Sequence, residues 1–163
     1  SLYISIMRGT PLLLQLLFVY FAPKYMFGLN YDRFLAALIA FVLNYAAYFA
    51  EIFRSGIEAI PVGQHEAASV LGYTRSQTFV RIVLPQMMRI VLPSVTNEVI
   101  TLVKDTSLAF ALAYTEMFTL AKQIAAANAS IMPLFVAGVF YYIFNFVVAW
   151  VMETIEKKMR YYK

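Results

Sequence analysis

The segment Gly63-Gln-His-Glu-Ala-Ala-Ser-Val-Leu-Gly72, which continues to Ile82-Val-Leu-Pro85, separates two apolar halves of the chain. It is polar and rich in small residues, whereas the segments on both sides are apolar enough for a lipid bilayer. The small side chains of Ala67 and Ala68 would let another surface approach closely. We therefore interpret this segment as a docking surface that the rest of the chain holds and responds to.

The composition of the 163 residues indicates a membrane protein. Hydrophobic residues make up 62% and charged residues only 13%, whereas a soluble domain has about 25% charged residues. The net charge of +4 comes from 13 basic and 9 acidic residues, and such an excess in a membrane protein reports topology rather than nucleic-acid binding. Because the chain has no cysteine and one histidine, we expect neither a disulfide nor a metal site.

Four apolar segments approach the length of about 20 residues that a helix needs to cross a bilayer. They cover, approximately, residues 9–27, 34–53, 90–113 and 131–152. The first is the weakest, because Pro23 and Lys24 interrupt its far end, and a shorter amphipathic segment covers 116–127. We predict an all-α polytopic membrane protein with about four transmembrane helices in a single transmembrane domain, residues 1–163.

Lysine and arginine are distributed unequally between the two ends of these spans. The richer end collects Arg8, Arg54, Arg75, Arg81, Arg89, Lys157, Lys158, Arg160 and Lys163. The other end holds Lys24, Arg33 and Lys122. Because loops rich in these residues stay on the cytoplasmic side, we predict that the central loop, about residues 55–89, and the C-terminus lie inside.

Local signals predict two short helices in the central loop. Gly63 is an acceptable N-cap, which would put Glu66 at N3, near the positive helix end. Gly72 suits the left-handed position after a helix. Thr74-Arg-Ser-Gln77 has the form of a capping box that starts a second helix, which Pro85 would bend or end. An amphipathic helix on the membrane surface is the alternative, although the segment lacks aromatic anchors and a basic cluster.

Polar residues recur within the third span at steps of three and four residues. They are Ser94, Asn97, Glu98, Thr101, Lys104 and Asp105. This spacing predicts one stripe on one helix, and ionisable groups within a membrane are costly and commonly functional. One hypothesis is that the stripe lines a substrate path, where Glu98 or Asp105 would bind an ammonium or guanidinium group.

A structural interpretation of the same stripe remains open. Lys104 and Asp105 would then pair with each other or with backbone at the end of the helix, and Thr106-Ser107 would cap the following segment. Two other features of the spans are predicted to be structural. They are an ion pair between Glu51 and Arg54, and interhelical hydrogen bonds from Asn44 and Asn145.

The central segment also resembles a known signature. Glu66-Ala67-Ala68, then Gly72, then Ile82-Val-Leu-Pro85 has the spacing of the EAA motif of ATP-binding-cassette importer permeases. Further motifs resemble the polar amino acid branch, which imports histidine, glutamine and arginine. They are Arg8-Gly-Thr-Pro-Leu12, Ala50-Glu-Ile-Phe-Arg54, Gly63-Gln64, Leu84-Pro85-Gln86 and Lys104-Asp-Thr-Ser-Leu108. These permeases usually have five spans, so the resemblance implies a first span before Ser1.

The resemblance also implies partners. In that family the EAA helix is a coupling helix that docks on a separate ATPase subunit. Glu66 would contact the ATPase or brace the helix, Ala67 and Ala68 would permit insertion, and Gly72 would allow the turn. The full set of implied coupling residues is Gly63, Glu66, Ala67, Ala68, Gly72 and Pro85. Two permease subunits would pair with two ATPases, and an external binding protein would deliver a polar amino acid at the inner membrane.

The implied chemistry resides outside this chain. ATP and Mg²⁺ would belong to the ATPase, because the sequence has no Gly-x-x-x-x-Gly-Lys-Ser/Thr phosphate loop, and the chain itself would be neither an enzyme nor a cofactor protein. The alternative function is a secondary transporter or channel that needs no ATPase, with the polar stripe as a proton or ion site. An intramembrane enzyme is the weakest hypothesis, since there is no Gly-x-Ser-x-Gly motif.

Overall fold

The computed structural model describes residues 1–30 and 32–159, and this part of the chain contains helices and no strand. The helices are α1 (Leu2–Gly9), α2 (Leu12–Phe27), α3 (Arg33–Glu58), α4 (Val62–Val70), α5 (Arg75–Thr78), α6 (Leu84–Asp105), α7 (Met117–Ala127) and α8 (Met132–Met159). A π-helical turn (Phe79–Val83) joins α5 to α6, and a 3₁₀ helix (Thr106–Leu112) follows α6. The predicted all-α fold is confirmed. Arg160 and Lys163, used for the orientation, lie outside the described residues.

Among the described residues, three helical stretches are long and apolar enough to cross a membrane. They are α3, the continuous stretch Arg75–Leu112, and α8. A fourth crossing requires α1 and α2 to act together as one broken span, since the two helices meet at 110°. Helix α2 has 16 residues and continues through Pro23 and Lys24 to Phe27, so these residues do not interrupt it as predicted. The polytopic fold with about four spans is confirmed.

The long helices pack side by side in the order α2, α3, α6 and α8, with α1 against α3 and α7 against α8. Three alanines of α3 let α2 approach closely, and Leu16 of α2 and Leu112 of the 3₁₀ helix fill the contact. Arg33 Nη1, at the start of α3, donates to the carbonyl of Ala113 at 3.2 Å. The start of α3 and the end of the 3₁₀ helix therefore lie at one end of the bundle, and α4 follows α3 at the other.

Close contact between α3 and α6 depends on Gly56. A Cβ atom at this position would lie 2.2 Å from Val91 Cγ1 and 3.0 Å from Met87 Cγ. Helix α3 runs on to Glu58, past the predicted end at residue 53. This extension places Gly56 against Val91 and Met87 of α6.

Helix α8 shows how little of the apolar surface this chain buries. Within its described residues Ala137 is buried, whereas Phe135, Phe140, Phe144 and Trp150 are each more than half exposed. A helix that is apolar on every face requires an apolar environment. Lipid or another membrane chain must therefore cover α8.

Helical structure is continuous across Pro85. The residue lies in the first turn of α6, directly after the π-helical turn. Proline has no N–H to donate to the preceding turn, and the chain directly before it is π-helical, with the N–H of Leu84 donating to the carbonyl of Phe79. Of the two predicted effects of Pro85, a bend or an end of the second helix, the end is therefore wrong, and the central loop is joined to the third span by continuous helical structure.

Candidate functional site

Helix α4 begins two residues earlier than the sequence predicts. Pro61 is its N-cap, with φ −57° and ψ 137°, and Val62 is the first helical residue. A proline adopts this extended conformation readily and has no N–H group to leave unpaired. Gly63 is therefore not the cap, and Glu66 lies in the second turn, beyond the free N–H groups of the helix start. Both predictions are corrected by this shift.

The end of α4 agrees with the prediction for Gly72. This residue has φ +77°, a conformation that glycine adopts without strain. The N–H of Tyr73 donates to the carbonyl of Ala68, and the N–H of Gly72 donates to the carbonyl of Ser69, both at 3.0 Å. This is the Schellman arrangement, and it turns the chain sharply towards α5.

The predicted capping box at the start of α5 is confirmed. Thr74 Oγ1 accepts from the N–H of Gln77 at 3.3 Å, and Gln77 Oε1 accepts from the N–H of Thr74 at 2.9 Å. The Thr78 side chain turns back and donates to the carbonyl of Thr74 at 3.0 Å. The start of the long helical stretch is thus held by local hydrogen bonds.

The two alanines of the motif face different environments. Ala68 is fully buried, at the place where α4 packs on α5 and the π-helical turn. Ala67, by contrast, is exposed. Both were expected to permit insertion into a partner, but Ala68 makes its close contact within its own chain. Ala67 therefore remains the alanine of this pair that a partner can reach directly.

Helix α4 presents apolar side chains to its surroundings. Val62 is 70% exposed, Val70 is 87% exposed and Leu71 is 74% exposed. Gly63 and Glu66 are exposed as well, and a Cβ atom at Gly63 would meet nothing within 4 Å. Apolar residues clustered on an exposed surface are typical of an interaction site.

The polar stripe of α6 divides into two sets. Ser94, Asn97, Thr101 and Lys104 are exposed. Glu98 and Asp105 are half-buried. Thr101 Oγ1 donates to the carbonyl of Asn97 at 2.9 Å, which satisfies the hydroxyl within the helix. The structure therefore does not bring all four predicted pathway residues to one surface of the isolated chain.

Asp105 has a partner on a different helix. Tyr45 of α3, which is buried, donates its hydroxyl to Asp105 Oδ2 at 2.7 Å. Asp105 is also the last residue of α6. The predicted break is present, but Thr106 and Ser107 do not cap the next segment, because their hydroxyls donate back to the carbonyls of Val103 and Lys104 at 2.6 and 2.8 Å.

A buried polar cluster at the bend between α1 and α2 was not predicted in full. Gln15 Nε2 donates to the carbonyls of Met7 and Thr10 at 2.9 and 3.1 Å, and Asn44 Nδ2 donates to Gln15 Oε1 at 2.9 Å. The interhelical role of Asn44 is therefore confirmed. Gln15 is the only side-chain amide in the apolar run Leu12–Phe27. A single amide in such a run could have indicated a buried hydrogen-bonding role for Gln15.

The prediction for Asn145 was different in its outcome. Among the described residues, Asn145 Oδ1 is buried without a hydrogen-bond partner, contrary to the predicted interhelical hydrogen bond.

Charged residues link α1 to the end of α3. Arg54 Nε donates to Glu51 Oε2 at 3.2 Å, which confirms the predicted pair, and Arg54 Nη1 lies 2.7 Å from Glu58 Oε1. Arg8 of α1 joins them, with Nη1 at 3.6 Å from Glu51 Oε1 and its guanidinium 5.7 Å from the centre of the Tyr48 ring. These groups position α1 beside the same end of the bundle as α4.

At the opposite end, Glu116 caps α7. Its carboxylate accepts from the N–H groups of Phe118 and Thr119 at 2.7 and 2.6 Å. Tyr141 of α8 donates to the same carboxylate at 3.3 Å. The predicted short helix of residues 116–127 is therefore present, and its N-cap residue connects it to α8.

The sequence as a whole matches a family model. The model describes the binding-protein-dependent transport system inner membrane component, and the match covers residues 1–161. The chain belongs to this family. It is therefore a transport component with several membrane-crossing helices, and the resemblance to importer permeases is confirmed.

Curated members of the same family of inner membrane components include amino acid permeases of Bacillus subtilis (strain 168). The arginine transport system permease protein ArtQ is 38% identical over 159 residues, which are 97% of this chain and 73% of ArtQ. The L-cystine transport system permease protein TcyB is 39% identical over 165 residues, covering 99% of this chain and 70% of TcyB.

Solved structures of transporters of this class have the same fold. One described as an amino acid ABC transporter with histidines has a TM-score of 0.85 at 31% identity, covering 96% of this chain and 73% of that chain. The inward-facing MetNI methionine transporter has a TM-score of 0.76 at 19% identity and covers 96% of this chain. The second likeness concerns the fold alone.

Proposed function

We propose that this family member is the membrane-spanning subunit of an ATP-driven importer for polar amino acids. The names of its relatives support the substrate class, since they include permeases of arginine, L-cystine and glutamine systems. The family description names a binding-protein-dependent system of the inner membrane. This supports delivery of the substrate by an external binding protein.

The proposed coupling role rests on one observation. This is the exposed apolar surface of α4. Val62, Val70 and Leu71 project from a helix that lies beyond the spans, where neither the bundle nor the bilayer core covers them. A separate ATPase subunit would bury these side chains. Gly63 leaves open space for a close approach, and Glu66 supplies a carboxylate for a basic group or a backbone N–H of that subunit.

The other coupling residues act by positioning α4. Ala68 lets the helix pack on α5, Gly72 makes the turn, and Pro85 starts α6 where the π-helical turn ends. A displacement of α4 would thus pass directly into the long helix that carries Glu98 and Asp105. ATP binding in the partner would then change the affinity of the path for substrate, which is a coupling free energy between two distant sites.

The substrate path is proposed to lie between two permease subunits. So few spans cannot enclose a path, and a two-fold dimer would bring α6 of each copy towards the other. The exposed Asn97 and Thr101 would face this interface, while Glu98 and Asp105 would bind the cationic part of the substrate. ATP and Mg²⁺ would be held by the ATPase, and the central loop and the C-terminus would face the cytoplasm.

Replacing the exposed Ala67 with tryptophan tests the coupling role. We expect Ala67→Trp to abolish binding-protein-dependent uptake and to reduce co-purification of the ATPase, while the permease still inserts into the membrane. Ala126→Trp, on exposed α7, is the matched control and should retain both properties. Wild-type uptake by Ala67→Trp would exclude docking through α4. Uptake by purified permease without any ATPase would favour a secondary transporter or channel.

A charge substitution tests the proposed substrate path separately. Glu98→Gln and Asp105→Asn should each weaken uptake of arginine by roughly tenfold or more, because a charge-assisted hydrogen bond contributes about 1.5–3 kcal/mol. Uptake of glutamine should change less. Glu153→Gln, at an exposed pair with Lys157, is the control. An equal loss of arginine and glutamine uptake would indicate that these carboxylates have a structural role and do not bind the substrate.

A further inference from the structure

A cavity of about 440 Å³ lies beside the docking helix, between α4 and α5. Two of its lining residues belong to α4, and the others belong to the connection, to α5 and to the start of the π-helical turn. They are His65, Ser69, Tyr73, Arg75, Thr78 and Phe79. The walls therefore combine hydrogen-bond donors with two aromatic rings, and none of these six residues is a carboxylate.

Three polar side chains of the cavity have no partner within the chain. His65, Ser69 and Arg75 are exposed, and none of them forms a side-chain hydrogen bond or an ion pair within residues 1–30 and 32–159. Thr78, by contrast, already donates to the carbonyl of Thr74. A guanidinium group presents its N–H donors in a planar fork that matches a carboxylate. Arg75 is therefore a cation that is available to a carboxylate from outside the chain.

The position of Arg75 along the chain is unfavourable for a cation. It is the first residue of α5, directly after the N-cap Thr74, and the continuous helical stretch Arg75–Leu112 begins with it. The N-terminal end of a helix has a partial positive charge, so an acidic residue is favoured there and a basic one is disfavoured. Helix formation thus gives no reason for an arginine at this position.

Opposite charges lie on different sides of α4. Glu66 follows His65, and adjacent residues of a helix point about 100° apart, so Glu66 does not line the cavity. Residues 59–89 contain no other acidic residue. Arg81 brings a second positive charge to the cavity wall, because its guanidinium lies 5.9 Å from the centre of the Tyr73 ring. The side of α4 with the cavity is therefore positive, and the side with Glu66 is negative.

We infer that this cavity receives an acidic side chain of the ATPase subunit, with the carboxylate bound to the guanidinium of Arg75. Ser69 and His65 add hydrogen-bond donors from α4, and the rings of Tyr73 and Phe79 cover the apolar stem of the entering side chain. The contact presupposes the proposed docking of α4 on the ATPase, and it adds the chemistry of the partner's side chain.

The contact also fixes the orientation of α4 in its partner. Glu66 requires a basic group or N–H donor on one side of the helix, and Arg75 requires an acidic group on the other. An ATPase that presents these charges in the opposite order would place like charges together, which is unfavourable at close range. The cavity would thereby help the permease to select its own ATPase.

Binding of the purified natural ATPase to the intact permease in detergent tests the contact. We expect Arg75→Gln to weaken this binding by roughly tenfold or more, as for the loss of one hydrogen bond between charged groups. Arg75→Glu should weaken it further, whereas Arg75→Lys should recover part of the affinity. Wild-type affinity should fall as NaCl is raised, and it should fall less in Arg75→Gln. Lys158→Glu on α8, an exposed site with the same change in net charge as Arg75→Glu, is the control and should bind like the wild type.

Folding of the variants can be separated from binding. Arg75→Glu puts an acidic residue at a helix start, so the unfolding midpoint of the permease should stay the same or rise. Ser69→Glu is a second, independent variant, because its carboxylate would enter the cavity wall and pair with Arg75. This variant should weaken binding of the ATPase as well.

Unchanged affinity in both Arg75→Glu and Ser69→Glu would overturn the contact. If Ala67→Trp loses the ATPase in the same assay, the docking of α4 stands without the contact, and if Ala67→Trp also binds normally, the docking fails too. A loss of affinity that is accompanied by a lower unfolding midpoint in every variant would overturn the contact in favour of a structural role. Arg75→Glu that keeps the ATPase but loses co-purified anionic lipid would overturn it as well, since Arg75 would then contact the membrane.

Discussion

Asn44 of α3 donates a hydrogen bond from Nδ2 to Oε1 of Gln15 on α2, at 2.9 Å, and both side chains are buried. Gln15 also contacts the preceding segment, because its Nε2 donates to the carbonyls of Met7 and Thr10. These carbonyls belong to the end of α1 and to the connection to α2, where the helix direction changes by 110°. The hydrogen-bonded pair of Gln15 and Asn44 therefore holds the bend between α1 and α2 against α3.

Removing the amide of Gln15 should loosen this bend. Gln15→Leu removes the short hydrogen bonds to Asn44 Nδ2 and to the Met7 carbonyl and leaves these two groups only their long mutual bond at 3.4 Å. A buried polar group without a good partner costs about 1–3 kcal/mol. We expect a lower unfolding midpoint in detergent for Gln15→Leu and for Asn44→Leu. The double variant should lose less than the sum, since both substitutions remove one network. Gln123→Leu on exposed α7 is the control, and strictly additive losses would contradict the network.

A methyl group at Gly56 should disturb the crossing of α3 and α6. The added Cβ would lie 2.2 Å from Val91 Cγ1, so one helix must move, and overpacking of this kind costs about 1–3 kcal/mol. Thermal unfolding of Gly56→Ala in detergent measures the effect. Gly138→Ala is the matched control, because a Cβ there meets nothing within 4 Å and alanine favours a helix. Equal midpoints for the two variants would refute the close contact.

Gly63, near the start of α4, and Gly72, after its end, should respond differently to alanine. Gly72→Ala forces a left-handed conformation on a residue with a Cβ, at a cost of about 1–2 kcal/mol, and Gly72→Asn should recover part of it. Gly63→Ala meets open space and should leave the stability of the permease unchanged. If α4 docks as proposed, Gly63→Ala still reduces coupled uptake. Measured stability and uptake that fall together in Gly63→Ala would argue for a structural role instead.

Deleting the Tyr45 hydroxyl should release Asp105 from its position. Tyr45→Phe keeps the ring contacts with Phe41 and Phe49 but removes the donor at 2.7 Å from Asp105 Oδ2. Hydrogen bonds to charged groups contribute about 1.5–3 kcal/mol, so we expect at least a tenfold weaker apparent affinity for a cationic amino acid. Tyr48→Phe is the neighbouring control, and an equal effect in both variants would exclude a specific contribution from the Tyr45–Asp105 bond.

Local signals in the sequence predicted the central loop well at its end and less well at its start. The left-handed Gly72 and the capping box of Thr74 and Gln77 depend on neighbouring residues alone, so the pattern was sufficient. The predicted start of α4 was wrong by two residues. Both Pro61 and Gly63 are acceptable at an N-cap, and the conformation of the preceding residues decides between them. Boundaries of helices are commonly uncertain by this amount.

The polar groups of the spans were predicted as residues but not as partners. Helical spacing placed Glu98 and Asp105 on one stripe with Asn97 and Thr101, yet the two carboxylates are half-buried, and Tyr45 of α3 donates a hydrogen bond to Asp105. Tyr45 lies 60 residues from Asp105 along the chain. No local pattern connects two residues at that separation.

By itself, the sequence determined the class of the protein, the number and approximate extent of its apolar helices, and the order of its motifs. These features depend on amino-acid composition, on the helical spacing of polar and apolar residues, and on residues a few positions apart. Tertiary structure alone decided that Ala68 is buried while Ala67 is exposed. It also decided that α6 packs closely against Gly56, and that Gln15 forms hydrogen bonds at the bend between α1 and α2. Each of these is a contact between helices, and the distance of approach between two helices is not encoded in the pattern of either one.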